Sequence, residues 1–523
     1  MTKFLRRLEH NKVEHTENTK RIAQNTGFLA FRMLLVVAVG LFTSRIVLDA
    51  LGVDDYGIYG VVGSVVIFLS FFKNALTNAT YRFFTFDLGQ GNTDRLGRTF
   101  SMSLNMHLLL AVVLFLILEI GGIIFINHYL NIVPTRIHAA NWVFQFSLLA
   151  FCIEVVKTPY NSCIIAHERM NFFAYTSLFE VGMGLLNAYL LWLAPMDKLI
   201  FYGFLQFMLS ILLLLWYFLY CRKHFKEAKY HFVWDKGLLR KLTSYSGWSL
   251  LVNAAYIIAT QCQNIFLNWF GGVAINAAMG IANQVSSKMN MFLSSFTQAF
   301  NPQIIKSYAS GDNDYFMKLI LSTAKFSFLI LMSMVFPMVL FVDFILDLWL
   351  VDVPRHSNIF ICLLLIYYLI DALQVSLVQS VHATGKLVIH QILISTIMML
   401  SIPVTYIMLR NGMPYWSVPA VWAATNLLAA IVRTIYIRHL IGLNIILYLR
   451  DVVGRSMVVC ILSMLLPIYF YSLLGNCWTG LIVVGVSFYP LYLFAIYTIG
   501  LNRQEHDMVR KFMDQQLKRF KHI

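Results

Sequence analysis

Residues 246–299 read SGWSLLVNAAYIIATQCQNIFLNWFGGVAINAAMGIANQVSSKMNMFLSSFTQA. The segments 246–270 and 274–299 each exceed the roughly 20 mostly apolar residues needed to cross a bilayer as a helix, yet neither is apolar all round. Ser249, Asn253, Tyr256, Thr260, Asn264 and Asn268 recur in steps of three or four along the first, which places them on one helical face, with Gln263 beside them. Asn276, Gly280, Gln284, Ser287, Lys288, Met291, Ser295 and Gln298 do the same along the second, and Lys288 falls near its middle. A cation at the centre of the hydrocarbon costs at least about 2.5 to 3.5 kcal/mol. A single Asn or Ser is accounted for by a hydrogen bond to a neighbouring helix. Two consecutive full stripes with a central Lys predict instead a water-filled path through a helical membrane protein.

The rest of the chain fits that reading. Of 523 residues, 59% are hydrophobic and only 12% charged, and the mean hydropathy is +0.69. Soluble domains carry about twice that share of charge. Apolar runs predict an all-α polytopic fold of fourteen helices, at 25–48, 57–80, 100–125, 139–160, 172–194, 198–220, 246–270, 274–299, 319–342, 358–381, 389–410, 418–437, 455–474 and 480–499. The polar N-terminal stretch MTKFLRRLEHNKVEHTENTKR has no short apolar core with a cleavage site, so no signal peptide is expected. With the N-terminus placed in the cytoplasm, 30 of the 40 Lys and Arg residues lie in inner loops and tails and 4 in outer loops. That asymmetry predicts both termini in the cytoplasm. The net charge of +15 is therefore mainly a topology signal, and no nucleic-acid partner is expected. The seven cysteines show neither CxxC nor a Cys/His spacing, so no disulfide framework, metal site or other cofactor is expected.

An internal repeat organises the spans. At an offset of 220, Gly52, Val53, Gly60, Val65, Phe72, Thr77, Ala79 and Gly91 fall on Gly272, Val273, Gly280, Val285, Phe292, Thr297, Ala299 and Gly311 without a gap. Both copies start and end on the same side, and parallel repeats of this kind are a known transporter architecture with substrate held between halves. The expected organisation is a tail (1–24), an N-lobe of six helices (25–221) and a basic, interfacial linker (222–245). A C-lobe of six helices (246–438), an extra helix pair (439–499) and a basic tail (500–523) follow.

The intramembrane charges nominate the site. Arg32 shares a face with Asn25 and Thr43; Lys73, Asn74, Thr77 and Asn78 cluster toward the inner end of the second span. With Asn253, Asn264, Gln284, Lys288 and Lys325 they form the candidate substrate-binding set. Glu154 with Lys157, Glu180 and Asp371 are either partners for these cations or coupling-ion ligands. The unpaired excess is basic, which suits an anionic group such as a pyrophosphate held by charge-assisted hydrogen bonds.

NTGFLAFRMLLVVAVGLFTSRIVLDALGVDDYGIYGVVGSVV (25–66), with its TSR-x-x-L-x-x-LG-x-x-DYG-x-Y pattern, and AFNPQIIKSYASGD (299–312) give the chain a resemblance, over nearly its full length, to the bacterial polysaccharide and O-antigen flippases. These belong to the multidrug, oligosaccharidyl-lipid and polysaccharide exporter (MOP) superfamily. The resemblance implies two six-helix lobes around a cavity, alternating access, and residence in the bacterial inner membrane. It further implies movement of undecaprenyl-pyrophosphate-linked oligosaccharide to the periplasmic leaflet, among membrane lipids and alongside polysaccharide polymerases or glycosyltransferases. Arg32, Lys73 and Lys288 match the cavity cations of such flippases by helix and depth.

Two alternatives stand beside it. A cation-coupled drug exporter of the same superfamily would use acids such as Glu154 and Glu180. A membrane glycan polymerase or ligase would need a large outer loop with catalytic groups, and the outer loops near 126–138 and 343–357 are short; Asp343, Asp347 and Asp352 there read as solvated charge. No P-loop, HExxH or nucleophile elbow is present, so no enzyme activity is expected and energy must come from a gradient or from substrate supply.

Overall fold

The computed structural model describes residues 70–350 apart from 92, 129–132 and 195, residues 353–502 with 505–506, and scattered positions between 32 and 62. The side chains at 70, 71, 93, 268, 273, 274, 276 and 277 are not described. Asn25, both terminal tails beyond 506 and before 32, and the side chains of Asn268 and Asn276 thus lie outside the described residues.

Every regular element among the described residues is helical. In chain order they are α1 (Ser70–Gly89), α2 (Thr93–His128), α3 (Ile137–Ala166), α4 (Met170–Leu190), α5 (Lys198–His224), α6 (Lys236–Gln298), α7 (Asn301–Ala309) and α8 (Asn313–Leu340). There follow α9 (Val342–Trp349), α10 (Ser357–Thr384), α11 (Val388–Arg410), α12 (Ser417–Ile441), a short α13 (Ile445–Tyr448), α14 (Arg455–Leu474) and α15 (Trp478–Ala495). The described residues from Arg32 to Leu51 are helical as well.

Eleven helices among the described residues are long and apolar enough to cross a membrane. They coincide with the third to seventh and the ninth to fourteenth expected spans. The first two spans are described only in part. The eighth, expected at 274–299, is helical to Gln298 but is not one of the eleven, for its polar stripe dilutes it. One side of α2 leaves Leu109, Val112, Leu116, Ile117 and Ile120 exposed, a contiguous apolar strip that lipid, not water, would cover.

The 220-residue repeat is visible in the backbone. Gly52 and Gly272 have φ of 80° and 74°, and Gly91 and Gly311 have 69° and 78°. Only glycine visits that region without strain, so the repeat preserves turns and not merely a membrane alphabet. At Gly272 the turn interrupts α6, separating the two striped segments.

Two compact units result. The first contains residues 1–254, 298–313 and 382–388. Its core packs Leu114 and Leu118 of α2 against Val143, Phe144, Leu148 and Val155 of α3. A second cluster joins Phe84 of α1, Phe100 of α2, Tyr160 and Cys163 of α3 and Tyr217 and Cys221 of α5. Arg136 clamps the opposite end, bonding Asp55 and, at 2.5 Å, Asp197; Asp197 in turn caps α5 by accepting from the Leu199 and Ile200 N–H groups. Residues after His224 run as a strap along α2. Asn105 bonds the Val233 carbonyl and the Tyr230 hydroxyl, and Ser101 accepts from the His231 N–H. The strap leaves Tyr230, Phe232 and Trp234 exposed, in keeping with the interfacial character expected of 222–245.

The second unit contains 255–297, 314–381 and 389–523. Its core includes Phe336 of α8, Phe360 and Leu364 of α10, Trp422 of α12 and Phe488 and Tyr492 of α15. The extra helix pair is part of this core: Phe336 meets Phe488 with ring centroids 4.6 Å apart, and the Tyr492 hydroxyl donates to the Leu329 carbonyl at 2.7 Å.

Candidate functional site

In the first unit, five charges singled out from sequence converge. Around Glu180 of α4 lie, within electrostatic range, Lys157 and Glu154 of α3, Arg32 of the first helix and Lys73 of α1. Lys157 and Glu154, three apart on one face of α3, form an ion pair. Arg32 places its guanidinium 4.5 Å from the Phe173 ring centroid, a cation–π contact, and its Nε has no hydrogen-bond partner among the described residues. Glu180 itself is exposed. Three cations face two carboxylates, so the cluster keeps one positive charge when all are ionised. Asn74 and Asn78, one turn apart on α1, are exposed on the helix that carries Lys73. The cluster therefore offers open hydrogen-bonding groups and a net cation in a section of the unit built from membrane-length helices.

The two stripes of α6 differ. Gly280, Gln284, Ser287, Lys288 and Met291 are all exposed, so the second segment presents an unpacked polar face with Lys288 on it. Along the first segment Asn253, Tyr256, Thr260 and Asn264 are half-buried and Ser249 is buried. Some of these polar groups turn back on their own helix, Asn253 to the Ser249 carbonyl and Thr260 to those of Tyr256 and Ile257.

Two nominated residues take other roles. Lys325, expected to line the cavity, is buried in the second unit; its ammonium pairs with Glu505 and donates to the Gly500 carbonyl at 2.9 Å. Glu505 also accepts from Ser322 and from the Asn502 N–H, while Asn502 accepts from the Glu505 N–H, a reciprocal cap. Lys325 thus anchors the end of the last span. Asp371 was expected to meet Lys288 or a coupling ion. Its charged neighbour is Arg433, a buried residue of α12 that also bonds Gln374 and, at 3.1 Å, His390. Arg433 lies near the inner end of the expected span 418–437 and is not among the residues nominated from sequence. The signal that would have found it is Asn426, two turns earlier on the same face of α12 and bonded to the Tyr367 carbonyl.

A further set of contacts has the form of a latch. α7, which follows the second polar stripe, packs on α1, and a Cβ on Gly89 would stand 2.8 Å from the Ala309 Cβ and 2.9 Å from the Lys306 backbone. Residues 89 and 309 are equivalents in the repeat, so α1 and α7 meet through matching positions. Glu168, at the turn between α3 and α4 with φ of 59°, accepts from Gln303 at 2.7 Å and Lys306 at 2.5 Å. Nearby in chain order, Arg82 donates to the carbonyls of His382 and Ala383, and the Tyr245 hydroxyl meets His382 Nδ1 at 2.5 Å. Glu119 of α2 accepts from Gln145 of α3.

Compared with known proteins, the chain matches no family model and no curated relative. Solved structures do match. A point mutant of a MATE protein aligns with TM-score 0.70 and 14% identity, covering 80% of this chain and 96% of that one. The outward-facing form of a multidrug resistance MATE transporter of the MOP superfamily gives 0.69 and 14% over the same shares. A MOP superfamily transporter from Pyrococcus furiosus, described as having a reversed-polarity binding pocket that suggests a different function, gives 0.66 and 15%, again over 80% and 96%. The chain has the fold of these MATE structures. About a fifth of it extends beyond these matches.

Proposed function

We propose that this protein is a secondary transporter that carries an amphipathic substrate across a membrane by alternating access. The observation that carries the reading is the match of four-fifths of the chain to nearly whole MATE transporters. The latch fits it: contacts that tie 298–313 and 382–388 to α1, α3 and α6 are of a kind that breaks and reforms in such a cycle. The side bearing them is the cytoplasmic side if the basic loops orient the chain, and an inner-membrane location follows from the same reading.

For the substrate, the solved neighbours lend more support to multidrug export than to the flippase expected from sequence. On this reading Glu154, Glu180 or Asp371 would take part in cation coupling. One observation favours the flippase as a second reading: the Glu180 cluster is net positive and Lys288 adds a cation on an open polar face. A cationic drug gains nothing there, whereas a pyrophosphate gains charge-assisted bonds. The extra helix pair and the likeness of 25–66 and 299–312 to flippases stand on the same side.

Reconstitution into proteoliposomes distinguishes the readings. One arm follows ethidium efflux under a proton or sodium gradient; the other follows protection of a fluorescent undecaprenyl-pyrophosphate oligosaccharide from a membrane-impermeant quencher. Arg32→Glu abolishes transport of the anion and leaves or improves that of the cation if Arg32 meets the substrate. Transport of neither substrate class refutes the transporter reading.

A further inference from the structure

Cys163, at the end of α3, and His167, at its C-terminal cap, are four residues apart and so share one face. Glu227, sixty residues on, lies in the one-turn 3-10 helix Lys226–Ala228 at the start of the strap. One thiol, one imidazole and one carboxylate ligand atom from these residues all fall within 4.8 Å of one another. The sequence reading passed over them because a Cys-x-x-x-His pair acquires a third ligand only when the strap folds back on α3.

The hydrogen bonding makes the arrangement unusual. His167 Nδ1 lies 2.9 Å from the Cys163 carbonyl, which accepts only, so Nδ1 is the donor. In a neutral imidazole that leaves Nε2 as a bare lone pair, 2.7 Å from the Glu227 carboxylate. Two acceptors at that separation require an electrophile, which is either a proton or a metal ion. The Cys163 sulfur stands 3.7 Å from the ring at Nδ1. For a tetrahedral zinc with bonds of roughly 2.0 to 2.3 Å, ligand atoms sit about 3.3 to 3.7 Å apart. The Glu227 side chain has to swing back by about half an ångström to reach that edge length, and the Cys163 thiol has to turn from the Nδ1 side of the ring toward Nε2.

We propose that Cys163, His167 and Glu227 form a binding site for a divalent d-block cation of the zinc type. One thiolate and one carboxylate neutralise the dication. A neutral complex suits the apolar surroundings, where Phe84, Leu88, Leu96 and Phe100 form the wall. Sulfur and nitrogen donors select zinc, cobalt or nickel over magnesium and calcium. The Nδ1–H bond to the Cys163 carbonyl is the outer support that metal-binding histidines commonly have. Cys163 is buried, while the side chains of His167 and Glu227 keep 20% and 13% of their exposure, which leaves an entry edge. Bound metal fastens the start of the strap to α3.

The test uses the purified full-length protein in detergent, titrated with Co²⁺. A bound thiolate gives an intense sulfur-to-cobalt charge-transfer band in the near ultraviolet, displaced by one equivalent of Zn²⁺. The site predicts that band in the wild type, its loss in Cys163→Ser, and its retention in Cys152→Ser, where the altered thiol is three turns away on α3. His167→Ala and Glu227→Gln weaken cobalt binding at least about tenfold. Absence of the band in the folded wild type overturns the proposal and leaves an imidazolium–carboxylate pair only; its persistence in Cys163→Ser overturns the assignment.

Discussion

Glu168 offers the sharpest perturbation of the latch. Its carboxylate is nearly buried, at 5% side-chain exposure, and accepts from Gln303 and from Lys306, itself 25% exposed. Hydrogen bonds to charged groups contribute about 1.5 to 3 kcal/mol each. Partial exposure of Lys306 screens the ionic share, so about 2 kcal/mol is a fair net for the pair of bonds. Replacement by glycine removes both without adding backbone strain, because φ is already 59°. At about 1.4 kcal/mol per tenfold, Glu168→Gly raises the ratio of released to latched α7 by about 30-fold. The readout is the labelling rate of a cysteine at Ser307, a buried position of α7, by a membrane-impermeant maleimide. Exchanging the charges, with Glu168→Lys and Lys306→Glu together, restores slow labelling. Equal rates with and without the Glu168 carboxylate refute the latch.

Three further outcomes follow from the same geometry. Gly89→Ala brings a methyl group against the Lys306 backbone, which cannot rotate away, and this overpacking costs about 1 to 3 kcal/mol of the α1–α7 contact; it speeds labelling at position 307 in the same assay. Lys325→Met destabilises the protein by about 3 to 5 kcal/mol, because Glu505 is left as a buried charge, and Glu505→Gln in the same chain recovers part of the loss in thermal melting. If Lys325 bound substrate instead, the double variant would regain stability but not transport. Burial tends to raise the Asp197 carboxyl, but the hydrogen bonds from Arg136 and from the Ile200 and Leu199 N–H groups outweigh it and hold it below the ordinary carboxylate range. A depressed folded-state pKa stabilises fully above the unfolded value near about 4 and is lost as pH falls through the lower folded value. Arg136→Gln therefore lowers melting temperature at pH 7 and has little effect at strongly acid pH; an equal loss at both would show that the clamp acts through packing and not through charge.

Much of this was legible in the chain itself. Apolar length placed the spans, and the 220-residue offset found turns that the backbone repeats at Gly52 with Gly272 and Gly91 with Gly311. Helical period put Glu154 and Lys157 on one face, and they pair. Period gives a face, however, and not the neighbour that the face meets. Lys325 and Glu505 are 180 residues apart, and Glu505 looked like one charge among many in a basic tail. Arg433 lies near the end of its apolar run and drew no attention there, although the helix continues to Ile441 and buries it. Glu168 gave no signal at all, since a non-glycine residue with positive φ is not marked by its sequence. The Cys163, His167 and Glu227 group needed the fold of the strap to bring its members together.

The most direct test of alternating access is to make the latch covalent. With Glu168→Cys and Lys306→Cys in a chain otherwise lacking cysteine, a short thiol cross-linker or disulfide joins α7 to the α3–α4 turn. Transport by the reconstituted protein is then predicted to stop, and for the disulfide to resume on reduction. Transport at the full rate by fully cross-linked protein would contradict the account.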